Sequence, residues 1–301
     1  MSVHTLREFI NRSYPTAAGL AALTAALDAK ANSAPLDPAL AARIKELLSA
    51  LGAGDVLDDV SADQAAPVLS EVRHQLGFDA KLLYARTRVT SWSYADDPLL
   101  QEVGEFARFH ALGLSRNVIP ALEGLSERFG AVDARFLDIG VGVGGLAVEL
   151  ARQWPDLRIV GIDVFKPSLR LARENVEKAG LLDRIELREQ GAEALEDDKA
   201  FDLAWMPTVF MPERVIPEAT KRTHRALRPG GWVVFAFINL SFSDERDAAF
   251  WRLRTTMFGG PLWLPSQVET LARDCGFIDV RTLPAPPGAP VALVVGRRRP
   301  A

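Results

Sequence analysis

Two stretches of this 301-residue chain carry residue types suited to holding a charged organic molecule. The first is DIGVGVGG, residues 138–145, which runs from an apolar segment directly into the helical pattern LAVEL. Glycines let a backbone turn sharply and approach a ligand closely, and the free amides at a helix start attract a carboxylate or phosphate. Gly140, Gly142 and Gly145 satisfy G-x-G-x-x-G, while Asp138, Gly140, Gly142 and Gly144 satisfy D-x-G-x-G-x-G, so the loop alone does not choose between a dinucleotide and another nucleoside cofactor. The second stretch ends in Asp163, about 20 residues further on, where an acidic side chain can accept bonds from two ribose hydroxyls. The competing reading of Asp163 is a cap for a helix starting at Pro167.

The elements that must position these residues follow from the pattern around them. From about residue 132, short apolar runs alternate with amphipathic helices: RFLDI, LRIVGID, RIELREQ, FDLAWM, WVVFAF, FIDVRTL and VALVVG. Seven strand candidates, with helices between the first five, predict a largely parallel, doubly wound α/β sheet whose ligands bind at the carboxyl ends of the strands. Before that, apolar residues repeat at helical spacing. Leu40, Ile44, Leu47, Leu48 and Leu51 fall on one stripe behind Asp37 and Pro38, a good helix start. Ser61 and Gln64 form a capping box for a second helix that is expected to stop at Gly77. A third starts at Asp97–Pro98 and puts Leu99, Val103, Phe106 and His110 on one face; Leu122, Leu125 and Phe129 mark another. The expected organisation is an all-helical domain over 1–128 and a ligand-binding α/β domain over 129–301.

Composition narrows the function. The chain carries 35 Lys/Arg against 39 Asp/Glu, and the acidic excess lies entirely in residues 1–128, so neither part has the basic surplus that nucleic-acid backbones select. One cysteine, Cys275, and four scattered histidines allow neither an internal disulfide nor the usual zinc spacings, and no metal site is expected. The longest apolar run, WVVFAFI, is far shorter than the roughly 18 residues of a membrane span, and no signal-peptide pattern opens the chain. A cytoplasmic protein without membrane or nucleic-acid partners is expected.

FLDIGVGVGG, then GID, FDLAWMP and RALRPGGWVVFAF together resemble the class I S-adenosylmethionine-dependent methyltransferases over about residues 134–296, with LRPGGWVVF before the fifth strand as the strongest discriminator. The resemblance implies a Rossmann-like seven-stranded sheet with its last strand antiparallel. It implies S-adenosylmethionine as cofactor, with Asp138, Gly140, Gly142 and Gly144 around its methionine end, Asp163 on the ribose and Val164 against adenine. Gly191 and Ala192 after strand 3 and Met206 at the end of strand 4 complete the implied contacts. Many members place an acidic or polar side chain where this chain has Gly191, which leaves Gln190, Glu193 or water as the partner of the adenine amino group.

The strand 4 end, PTVFMPE, lacks the metal-binding carboxylates, the D/N-P-P-Y/F turn and the histidine base found in different branches of that family. His110 is the candidate general base, against the alternative that it is a core residue on an apolar helix face. The aromatic and arginine-rich segment from Ser241 to Leu264, with Phe242, Phe250, Trp251, Phe258, Trp263, Arg246, Arg252 and Arg254, could hold a planar acidic molecule, or form an amphipathic lid. Trp92 and Tyr94 could contribute from the helical side, whereas His224 reads as structural. The expected function is metal-independent O- or C-methylation of a small molecule, with a homodimer left open. The alternatives are an NAD(P)-binding oxidoreductase and a non-methylating member such as a cyclase, decarboxylase or regulatory binder.

Overall fold

In the computed structural model, the described residues are 3–84, 92–239, 244–285 and 291–301. The chain divides into two compact units, Met1–Ala85 and Arg86–Ala301. The first holds α1 (Val3–Ala31), α2 (Pro38–Ala50) and α3 (Ala62–Tyr84). The Asp37 carboxylate accepts from the amides of Ala39 (2.9 Å) and Leu40 (3.2 Å), and Pro38 takes the first helical position. Of the expected α2 stripe, Ile44 and Leu48 are buried, while Leu40 and Leu51 face solvent. Ser61 and Gln64 exchange both bonds of the capping box, at 2.8 and 3.2 Å. Gly77, however, does not end α3. Glycine inside a helix costs roughly 1 kcal/mol, less than the ~1.5–3 kcal/mol gained by burying a phenylalanine, and Phe78 is fully buried.

The second unit opens with α4 (Asp97–Gly113), followed by a π turn over Leu114–Val118, a 3-10 turn and the short α5 (Leu125–Phe129). Then come β1 (Arg135–Ile139), α6 (Gly145–Gln153), β2 (Arg158–Asp163), α7 (Lys166–Lys178), β3 (Ile185–Glu189), β4 (Phe201–Pro207), α8 (Ile216–Ala226) and β5 (Leu227–Ile238). The unit ends with α9 (Glu245–Phe258), α10 (Pro265–Asp274), β6 (Ile278–Thr282) and β7 (Val291–Arg297). The segment 97–128, expected with the helical domain, groups with the sheet. Its physical link is α4 on α6: a Cβ on Gly145 would lie 2.0 Å from the carbonyl oxygen of Gly104, so the two backbones touch.

The seven strands run β3-β2-β1-β4-β5-β7-β6, with β1 to β5 paired in parallel and β7 antiparallel to both its neighbours, β5 and β6. Side chains alternate across β4. Leu203 and Trp205 join the core under α4 to α7, while Ala204 and Met206 join the core under α8 and α10. The chain reverses its direction of winding between β1 and β4, which opens a crevice at their carboxyl ends. At the opposite end the buried Asp202 accepts from Arg128 (2.7 Å), Arg228 (2.9 Å) and the Arg135 amide (2.8 Å), so its charge is fully paired. Among the described residues, no helix is long and apolar enough to cross a membrane, and no group of three or more His, Cys, Asp or Glu is placed to hold a metal ion.

Candidate active site

After Ile139 the chain folds over the end of β2: the amides of Gly140 and Val141 both donate to the Ile162 carbonyl, at 2.8 and 3.0 Å. This tight return needs left-handed backbone, and Gly140 and Gly142 have φ of 70° and 57°. Asp163 locks the arrangement. One oxygen accepts from the Gly142 amide (2.9 Å) and the other from Phe165 at the head of α7 (2.8 Å), so the residue both pins the glycine loop and starts the helix. The capping and ligand-binding readings are compatible, since each carboxylate oxygen has more than one lone pair.

Beneath the loop lies a second carboxyl group. Asp138 is 2% exposed, and its Oδ2 has no hydrogen-bond partner among the described residues. Burial, with a smaller contribution from the neighbouring Asp163 charge, pushes its pKa up to about 8. Asp163 is also raised by burial, against the pull of the Phe165, Gly142 and Val164 amides. The half-buried Asp163 carboxyl at the crevice and the buried Asp138 carboxyl beneath the loop thus put two acidic groups at the glycine-loop end.

The crevice at the strand ends has a volume of about 410 Å³. Gly140, Gly142, Asp163, Val164, Gly191 and Ala192 all line it. Val164 is 68% exposed, an apolar side chain without a core role. The other end is apolar and aromatic: Trp92 and Phe210 meet edge-to-face at 5.1 Å, Phe258 lies 5.1 Å from Phe210 and 6.1 Å from Trp92, and Leu100 and Val103 of α4 close the wall. Arg214 also lines the crevice and is exposed.

Four expected residues do not line this crevice. Asp138 sits below the loop, and Gly144 caps α6 and faces Ala172 and Val176 of α7. Met206 is fully buried toward α8, its sulfur 3.9 Å from the Thr220 hydroxyl, because strand alternation turns it away from the glycine-loop side of the sheet. His110 packs on Phe106 (4.8 Å) and Trp205 (6.1 Å), and burial pulls its pKa down to about 4. It follows Val103 by seven residues, roughly 10 Å along the helix axis, which carries it past the crevice.

Phe258 is the member of the aromatic segment that reaches the crevice, together with the adjoining Gly259. Ser241 and Phe242 lie outside the described residues. Arg246 and Arg252 pair with Asp244 and Glu245, and Arg254 is buried with its guanidinium 5.1 Å from the Phe250 ring centroid. Burial raises the Tyr94 pKa, with Arg254 opposing. His224 stacks edge-on with Phe277 at 4.8 Å. Sequence reasoning missed Phe210, Met211 and Val215; the available signal was their apolar character just after the fourth strand, at the carboxyl edge of the sheet.

A family model described as a methyltransferase domain matches residues 136–231. A ubiquinone biosynthesis O-methyltransferase of Paracidovorax citrulli is 36% identical over 107 residues, which cover 35% of this chain and 44% of that protein. An S-adenosyl-L-methionine-dependent Diels-Alderase of a Neonectria species is 29% identical over 170 residues, 50% of this chain and 62% of that protein. The chain thus spans less than two thirds of the length of either relative. Human N-acetylserotonin methyltransferase, solved in complex with its S-adenosylmethionine, shares the fold at a TM-score of 0.59 and 16% identity, with 99% of this chain and 97% of that chain covered.

Proposed function

We propose that this chain, which matches a methyltransferase-domain model over residues 136–231, is a class I S-adenosylmethionine-dependent enzyme that methylates an oxygen or carbon of a planar, acidic small molecule. The observation that carries the reading is one crevice with two chemically distinct ends, a nucleoside-like polar end at the glycine loop and an aromatic end at Trp92, Phe210 and Phe258. S-adenosylmethionine suits the residues present. The amides entering α6 can donate to its carboxylate, Asp163 accepts from its ribose hydroxyls, and the exposed Val164 offers an apolar face to its base. When bound, it supplies an electrophilic methyl group on a sulfonium.

The aromatic end excludes water and holds the acceptor ring, which favours neutralisation of a phenolate, enolate or carboxylate against a cation. Arg214 offers charge to an anionic acceptor at the rim. Methyl displacement needs the acceptor held in line at roughly 3–3.5 Å, and the rigid α4 wall, with Leu100 and Val103, provides that positioning. An acceptor that is already ionised in solution needs no proton acceptor from the protein, so His110 is read as packing.

The test is formation of S-adenosylhomocysteine with a panel of phenols, hydroxyquinones and enols. Ring acceptors are expected to turn over, and Phe210→Ala to raise their KM while leaving S-adenosylhomocysteine affinity unchanged. Failure of the protein to bind S-adenosylmethionine in calorimetry would remove the reading. A second reading, a non-methylating enzyme that retains the cofactor, is supported by the similarity to the Diels-Alderase. Stoichiometric demethylation of the cofactor in the presence of an acceptor excludes it.

A further inference from the structure

We propose that Asn175 of α7 is a positioning residue: together with Gln101 of α4 it ties the acceptor wall to the glycine loop, so that filling the cofactor end of the crevice also fixes the acceptor end. The inference rests on the cofactor reading above and goes beyond it. Asn175 Nδ2 donates to the Val143 carbonyl of the glycine loop at 2.9 Å and to Gln101 Oε1 at 3.0 Å, and its Oδ1 accepts from Gln101 Nε2 at 3.3 Å. Both protons and the oxygen of one side-chain amide are thus engaged, and they join the loop and α4 to α7.

Neither Asn175 nor Gln101 lines the crevice, but their neighbours do: Leu100 precedes Gln101, Val103 follows two residues on, and Val143 is itself part of the wall. Leu100, Val143 and Leu171 pack as one buried apolar cluster, with Trp92 and Phe165 against it. The other ties between these elements leave α4 free to tilt. The Gly104–Gly145 backbone contact is a single point, about which a helix can still turn. The Arg170–Asp97 pair at the start of α4 is 50% exposed on both sides, where ion pairs contribute little. Gln101 lies three residues before Gly104, and both amides are half-buried, where losing a partner is costly. The tilt of the acceptor wall is therefore set by hydrogen bonds whose far end is the backbone of the cofactor loop.

The experiment follows amide hydrogen exchange of the whole 301-residue protein with and without S-adenosylhomocysteine. In the wild type the ligand is expected to slow exchange in the glycine loop and, about fivefold or more, in α4, the lower end of ordinary coupling between sites. Gln101→Met keeps the length of the side chain and removes its amide; it is expected to keep ligand affinity and loop protection while losing the α4 response. Gln101→Glu retains an acceptor for Asn175 Nδ2 and is expected to keep that response, which packing alone would not distinguish from the methionine. Asn175→Asp cannot donate to the Val143 carbonyl and is expected to lose it. With a ring acceptor that turns over, Gln101→Met should lower kcat about tenfold or more and leave KM little changed, as misplacement of the reacting groups does. An α4 response that survives in Gln101→Met or Asn175→Asp, disappears in Gln101→Glu or is absent from the wild type would overturn the proposal and leave the cofactor reading intact, as would an unchanged kcat. A protein that does not bind S-adenosylhomocysteine would overturn both.

Discussion

Asp138 gives the sharpest quantitative expectation. Its folded pKa of about 8 stands above an ordinary aspartate's 3.8, so the native state binds the extra proton throughout that interval. Stability must then fall as pH rises from about 4 to about 8, with a slope approaching 1.4 kcal/mol per pH unit. Between pH 4 and pH 7 that amounts to about 4 kcal/mol, a large part of the stability of an ordinary domain. Asp138→Asn keeps the shape and removes the titration. Urea unfolding of the ligand-free wild type and variant at pH 5, 6, 7 and 8 isolates the effect, because groups common to both cancel in the difference. The variant should gain on the wild type by about 1 kcal/mol or more per unit. A stability difference that does not change with pH would refute the burial of a carboxyl with an unpaired oxygen at this position.

Other perturbations test separate links. Asp163→Ala should weaken S-adenosylhomocysteine binding by about 1–3 kcal/mol, since it removes ribose acceptors and the pin on Gly142; calorimetry that finds wild-type affinity would contradict the strand 2 assignment. Asp202→Ala leaves Arg128 and Arg228 only the exposed Asp133 as partner and strands the Arg135 amide, and should destabilise the fold by about 1–3 kcal/mol in urea titration without altering ligand contacts. His110→Ala should keep turnover within a few-fold of wild type, because the ring lies outside the crevice; abolished turnover with intact cofactor affinity would reinstate it as a base.

The cofactor half of the site was legible because its demands are local. A glycine loop between a strand and a helix, and an acid one strand over, occupy fixed offsets along the chain, and the structure brings Gly140, Gly142, Asp163, Val164, Gly191 and Ala192 to one crevice. Met206 and His110 show what periodicity leaves open. A strand end has two faces, and Met206 falls on the one under α8; a helical face is several turns long, and His110 lies two turns beyond the part that meets the crevice. Gly77 was read as a stop because its local preference is easy to see, whereas the burial of Phe78 that overrides it depends on tertiary partners. The acceptor end was illegible for the same reason: Trp92, Phe210 and Phe258 come from three distant segments and acquire meaning only as a cluster.

The contact between Gly104 and Gly145 makes the cofactor loop and the acceptor wall one mechanical gauge. Gly145 begins the helix that the loop feeds, and Gly104 directly follows Val103, whose side chain lines the crevice. Backbone touches backbone, so no rotamer change can absorb a shift between them. Acceptor specificity can therefore drift through Leu100, Val103 or Phe210 while the spacing from wall to loop stays constant. A single added methyl group at Gly145 would reset that spacing for every substrate at once.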